Sequence, residues 1–318
     1  MRNPILQFFA LITTTLLMAS WVQAQDRLKP FVMASQTDAP FEEVVSDTYE
    51  RLTDSDFRVI GEYRPYASAA VLVITRRDLQ TAALETDTSV WIAALRVAIT
   101  ENGDVTEVSY VNPPYLAAAY RLEQSLDHVT NDLASSLGTE TTFGSNKGLT
   151  AKSLGKYRYM FGMERVDDTY DLAQYPEQAQ AVAAVSAGLA DASNGVTEIY
   201  RLNLDGDTLL LGVAMSGGGD DDNKYWDDSY QMSVVDFQSP RQTAYLPYEI
   251  LIRNGNVSAL HMRYRMALHF PDLSMMGKHS FMTLMPSPDA IGKALKEVAE
   301  GVGDSSNADA GPKSSPST

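Results

Sequence analysis

The chain has 318 residues, 44% of them hydrophobic, and a formal charge of −16. That is enough apolar material for two ordinary domains with their own cores, and a field of this sign repels phosphate backbones and anionic membrane surfaces, which argues against nucleic acid as a partner. Cysteine is absent, which removes disulfides, thiolate nucleophiles, iron–sulfur sites and covalent c-type haem linkage.

Arg2, the apolar run from Ile5 to Trp21 and the exit Val22-Gln23-Ala24 predict a secretory signal peptide over residues 1–24, cleaved after Ala24. An uncleaved membrane anchor is the alternative. Cleavage removes Arg2 and no acid, so −16 becomes −17. The expected mature protein is soluble and exported, and a protein held by its core without disulfides suits a bacterial periplasm.

Leu28 to Ser35 is expected as a first strand. Pro40 suits the first turn of a helix in which Phe41, Val44, Val45, Thr48 and Leu52 return at helical spacing. Phe57 to Tyr63 and Ala69 to Thr75 read as strands. Trp91 to Thr100 and Val105 to Val111 read as a hairpin about Asn102-Gly103, because Asn-Gly tolerates the positive φ of a tight turn. Helices are expected over Pro114 to Ser125 and Leu126 to Leu137. Residues 139–155, rich in Thr, Gly, Ser and Lys, predict a linker between a first unit, 25–138, and a second, 156–300.

The order then repeats. Tyr157 to Val166 is expected as a strand, and Pro176 opens a helix through Val182, Val185 and Leu189 that ends at Ser193-Asn194-Gly195. Strands follow at Val196 to Leu204, Thr208 to Met215, Ala244 to Arg253 and Val257 to Leu268, the last two about Asn254-Gly255. Pairing Leu95, Val97 and Ile99 with Tyr248, Ile250 and Ile252 requires a one-residue gap, which predicts a different loop length or a bulge in one copy. Ser287 to Glu300 is a last helix, and residues 301–318 are too polar to order themselves. The expected fold class is α+β: two tandem strand, helix, four-strand, helix units with curved antiparallel sheets, forming a pseudo-dimer.

The run LRVAITENGDVTEVSYVNPPYLAAAYRL resembles the signature of domain-of-unknown-function family 302, with Asn112-Pro113-Pro114-Tyr115-Leu116 in the place of its Tyr-Asn-Asp-Pro-like segment and Pro113 in place of the aspartate. The resemblance covers about residues 30 to 125. It implies a small α+β fold similar to the TATA-binding-protein type, often paired as a dimer, and it implies no activity.

Chemistry concentrates near the second hairpin. If Val257 to Leu268 is one strand, Leu260, Met262, Tyr264 and Met266 point one way and His261, Arg263 and Arg265 the other. The basic set could receive a small anion, or pair with acids such as Glu249 and only hold the sheet together. Met262, Met266, Met275, Met276, Met282 and Met285 are six of thirteen methionines, and His261, His269 and His279 three of four histidines. Among them His269, Met275, Met276 and His279 are candidate ligands for copper or non-covalent haem, with core packing as the alternative. Gly217-Gly218-Gly219 with Asp220, Asp221, Asp222, Asp227 and Asp228 reads as a solvated acidic loop or a calcium site without the helix-loop-helix pattern. Asp205-Gly206-Asp207 reads as a hairpin turn, and Gly162 to Asp168 as an interdomain contact. No HExxH, GxSxG, GxxxxGK[ST] or GxGxxG motif is present.

The expected protein is an exported, non-enzymatic module that binds a small acidic ligand or a periplasmic protein, without a cofactor. The alternatives are a copper or haem redox protein using the Met/His cluster, and a hydrolase on an unfamiliar scaffold.

Overall fold

A computed structural model describes residues 27–191, 195–217 and 223–301. The expected signal peptide, most of the tail, Ser193-Asn194 and the centre of the acidic loop at 218–222 lie outside the described residues.

The first half runs β1 (Arg27–Leu28), β2 (Phe31–Thr37), α1 (Phe41–Thr53), β3 (Arg58–Tyr66), β4 (Ala69–Thr75), α2 (Arg77–Ala82), β5 (Leu95–Asn102), β6 (Val105–Val111), α3 (Pro113–Ala119), α4 (Asp127–Leu137), β7 (Thr141–Phe143), β8 (Leu149–Thr150) and α5 (Ala151–Leu154). The second runs β9 (Thr169–Gln174), α6 (Gln178–Asp191), β10 (Val196–Asn203), β11 (Thr208–Met215), α7 (Asp228–Val235), β12 (Tyr248–Arg253), β13 (Asn256–Leu260), α8 (Met262–His269) and α9 (Ser287–Glu300). The fold is mixed α+β with antiparallel sheets. One sheet has the order β3-β4-β5-β6-β2-β7 and the other β10-β11-β12-β13-β9. Residues 139–155, expected as a linker, carry β7, which pairs with β2 and extends the first sheet, and β8, which pairs with β1.

Every residue of β4 and of β11 is buried. A strand without exposed alternate positions is covered on both faces. In the first sheet one cover is α1: Val108 shares a shallow groove with Val44 and Thr48 of α1, and Val108 is the register partner of Ile99, so Val97 and Ile99 face the helices. Arg96, Ala98 and Thr100 therefore face the other way. There Thr100 Oγ1 donates to Thr243 Oγ1 at 2.9 Å, within a short 3-10 turn, Thr243–Tyr245, that lies against β4, β5 and β6. The second half thus supplies the other cover. The edge strands β3 and β10 also run beside each other, so closely that a Cβ on Gly61 would fall 2.9 Å from Ile199 O.

Three expectations are corrected. Val257 to Leu268 is not one strand: β13 ends at Leu260, His261 caps, and α8 begins at Met262. Tyr157 to Val166 contains no strand, and the first strand of this half is β9, starting at Thr169. The two Asn-Gly pairs do not make equivalent turns. Asn102 is a strand residue paired with Val105, and the turn is Gly103-Asp104 with Gly103 at φ 66°. In the second hairpin Arg253 pairs with Asn256, and Asn254-Gly255 is the turn, at φ 51° and 78°. Neither pair shows a register shift, so the expected gap reflects a displaced Asn and not a bulge or a longer loop.

Candidate functional site

Breaking the strand at His261 separates the three basic residues. His261 Nδ1 accepts from the Arg263 amide at 3.3 Å, capping α8, while its ring packs on Tyr170 at 4.4 Å. Burial lowers its pKa, against the pull of Glu164. Arg263 pairs with Glu164 at 2.8 Å from a side chain 41% exposed. Arg265, by contrast, is buried. Its Nη2 donates to Pro247 O at 2.6 Å and to Tyr245 O, and its guanidinium carbon lies 4.0 Å from the Tyr245 ring centroid and 4.5 Å from that of Tyr248.

The Met/His candidates also diverge. His269 is wholly buried, donating from Nδ1 to Arg265 O at 2.8 Å, and its pKa is driven far down by burial and by the Arg96 and Arg265 guanidiniums. His279 stacks on Phe237 with centroids 4.0 Å apart and donates from Nδ1 to Val234 O at 2.9 Å. Met275 is 37% and Met276 79% exposed. Among the described residues, no three of His, Asp and Glu stand close enough together to hold a metal ion.

Glu249, the suggested partner of those arginines, instead faces Arg96 across the two sheets, at 3.5 Å from Nη1. Both are buried. Tyr200, Gly212 and Glu249 are level across β10, β11 and β12. A Cβ on Gly212 would lie 2.0 Å from the Tyr200 ring, so the missing side chain lets that ring cross the sheet and donate to Glu249 Oε1 at 2.5 Å. Asp228 accepts from Tyr63 OH at 2.8 Å and from the Met215 amide at 3.1 Å, and burial pushes its pKa up to about 7.

Several polar atoms of this interior have no hydrogen-bond partner among the described residues: Arg96 Nε and Nη2, Arg265 Nε and Nη1, the hydroxyls of Tyr120 and Tyr245, Glu249 Oε2 and His269 Nε2. Leaving one such group dry costs about 1–3 kcal/mol, more when charged. Buried groups of this kind call for a polar partner.

Above this interior lies an open cleft of about 500 Å³ at the seam of the two halves. Lys29 and Phe143 reach it from the first half, and Phe237, Gln242, Phe270 and His279 from the second. Gln242 Oε1, buried and without a partner, is one of its polar groups. The rings of Phe143 and Phe270 pack inward on Phe31 at 5.5 Å and Tyr245 at 5.3 Å. Both inner rings touch His269, at 5.8 and 5.4 Å. Aromatic packing thus separates the cleft from the two guanidiniums.

Of the residues singled out from sequence, His279 lines the cleft and Arg265 and His269 lie under it; His261, Arg263, Met275 and Met276 are elsewhere. Arg96 was missed as a site residue, and Asp228, expected in a solvated acidic loop or a calcium site, is instead buried at the start of α7. Arg96 had a signal, a lone charge inside the apolar run Ala94 to Ile99. Asp228 had none beyond its place in an acidic segment. No protein-family model, curated protein or solved structure matches the chain.

Proposed function

We propose that the chain is an exported, non-enzymatic binding protein made of two fused copies of one α+β unit, and that the seam cleft receives a small organic acid with an apolar body. The matching orders β3-β4-β5-β6-β2 and β10-β11-β12-β13-β9 support the duplication. The observation that carries the binding role is the cleft itself. Its volume of about 500 Å³ and its mixed wall suit a small ligand. Phe143, Phe237 and Phe270 offer apolar surface, Lys29 an opposite charge for a carboxylate, and Gln242 Oε1 an acceptor for a hydroxyl or amine.

The test is native mass spectrometry, with an absorption spectrum, on protein purified without unfolding from its own host. A bound organic mass that is lost in the Lys29→Ala, Phe237→Ala double variant supports the reading. The same mass kept by that variant moves the ligand out of the cleft. A Soret or copper band would favour the redox reading, for which His279, at the wall of the cleft, is the accessible ligand. A bare polypeptide mass would favour a protein partner, for which the exposed Met276, Met282 and Met285 offer a soft apolar surface.

A further inference from the structure

Arg265 has no carboxylate within ion-pair distance among the described residues, and Arg96 shares Glu249 with Tyr200. A guanidinium cannot shed its proton, so both stay charged in the interior. Asp228, which feels the field of Arg265, is held near half-protonation at neutral pH by burial. Glu107 and Asp236 are buried as well but are held by other donors, so the two guanidiniums have Glu249 as their one ion-pair partner among the described residues. Water can satisfy donors, but it does not neutralise a buried charge as an anion does.

The unpartnered atoms have a geometry as well as a charge. Arg96 Nη1 is committed to Ala94 O at 3.3 Å and leans toward Glu249. Its Nε and Nη2, on the other edge of the same plane, are the free pair. Two parallel N–H donors on one edge match two oxygens of a carboxylate or phosphate. The hydroxyl of Tyr120 lies beside Arg96 and feels its field, and Arg265 adds two free donors under the Tyr245 ring. We propose that Arg96 and Arg265, with the Tyr120 and Tyr245 hydroxyls, bind a small oxyanion of carboxylate or phosphate type between the two sheets. This internal site is separate from the cleft and does not depend on what the cleft holds.

Equilibrium urea unfolding of the whole mature chain tests it, because a ligand that binds only the folded state raises the midpoint whether or not it exchanges quickly. Sodium chloride is replaced at constant ionic strength by sodium acetate in one series and by sodium phosphate in another. Wild type is compared with Arg96→Lys, which keeps the charge and loses the fork, and with Tyr120→Phe, which keeps the ring and loses one donor. General salt stabilisation is common to all three proteins and cancels. The expected result is a saturable midpoint rise in wild type, with affinity about tenfold weaker in Arg96→Lys and several-fold weaker in Tyr120→Phe. A rise in acetate identifies carboxylate, and one confined to phosphate identifies the phosphate type. Equal responses in the three proteins, or flat midpoints for both probes in wild type, overturn the site. Should Arg96→Lys fail to fold, the Tyr120→Phe comparison alone decides.

Discussion

Arg263 and Arg265 lie two positions apart on α8, one half in water and the other sealed between two tyrosine rings. A surface pair such as Arg263 with Glu164 contributes little, since water already solvates both charges. Arg263→Ala is therefore expected to change stability by less than about 1 kcal/mol. Arg265→Ala leaves the carbonyls of Tyr245 and Pro247 unpaired and opens a void, at a cost of about 3 kcal/mol. Urea midpoints of the two variants measure the contrast. Equal losses would mean that burial does not set the difference.

Among elements, α6 and α9 approach so closely that a Cβ on Gly188 would lie 2.2 Å from Val298 O. Gly to Ala inside a helix ordinarily gains about 1 kcal/mol. Here the obstruction is backbone and cannot swing away, so Gly188→Ala is expected to lower stability by about 2 kcal/mol, read from the thermal midpoint. A stabilised variant would show that the helices can part freely. Short apolar runs bounded by turn signals made β4, β5, β6 and β11 legible in the sequence, and β10 could be read despite its register shift between Glu198 and Tyr200. α8 was not legible. Of Met262 to His269 only Arg263 is not buried, so this helix has almost no polar face to impose a period of 3.6. The spacing of Leu260, Met262, Tyr264 and Met266 then satisfies a strand equally well. The cap was hidden too, since it is a histidine and not the usual Ser, Thr, Asp or Asn. The site depends on these same elements: Arg96 and Glu249 meet across two sheets, a contact that no local pattern carries.

For the molecule as a whole, the interior couples folding to protons. Asp228 has its pKa raised by burial from 3.8 to about 7, so the folded state holds this proton more tightly than the unfolded chain. Its contribution is fully present below about pH 4 and is lost as pH rises through 7. Asp236, raised by burial to about 6, acts in the same direction. His269 acts oppositely: its pKa is depressed, so stability is lost as pH falls below about 6.5. In Asp228→Asn the amide oxygen can still accept from Tyr63 and the Met215 amide, without a charge to bury. Its stability relative to wild type is expected to rise between pH 4 and 8 by up to about 4 kcal/mol. Urea midpoints at pH 5 and pH 8 check this, and a pH-independent difference would sink it.

The facing of Arg96 and Glu249 has one more consequence. With the hairpins aligned on their turns, Asn102 on Arg253, Arg96 is level with Pro247 and Glu249 with Ala98. Two identical subunits about a twofold axis must present every contact twice, so an arginine at one position recurs at its mate. A single chain is not bound by that rule. Its halves can mutate alone, and it sets one arginine and one glutamate on opposite sheets, each once. A chain of this kind can hold a lopsided guest once, in a single orientation, where a symmetric pair would hold it twice or not at all.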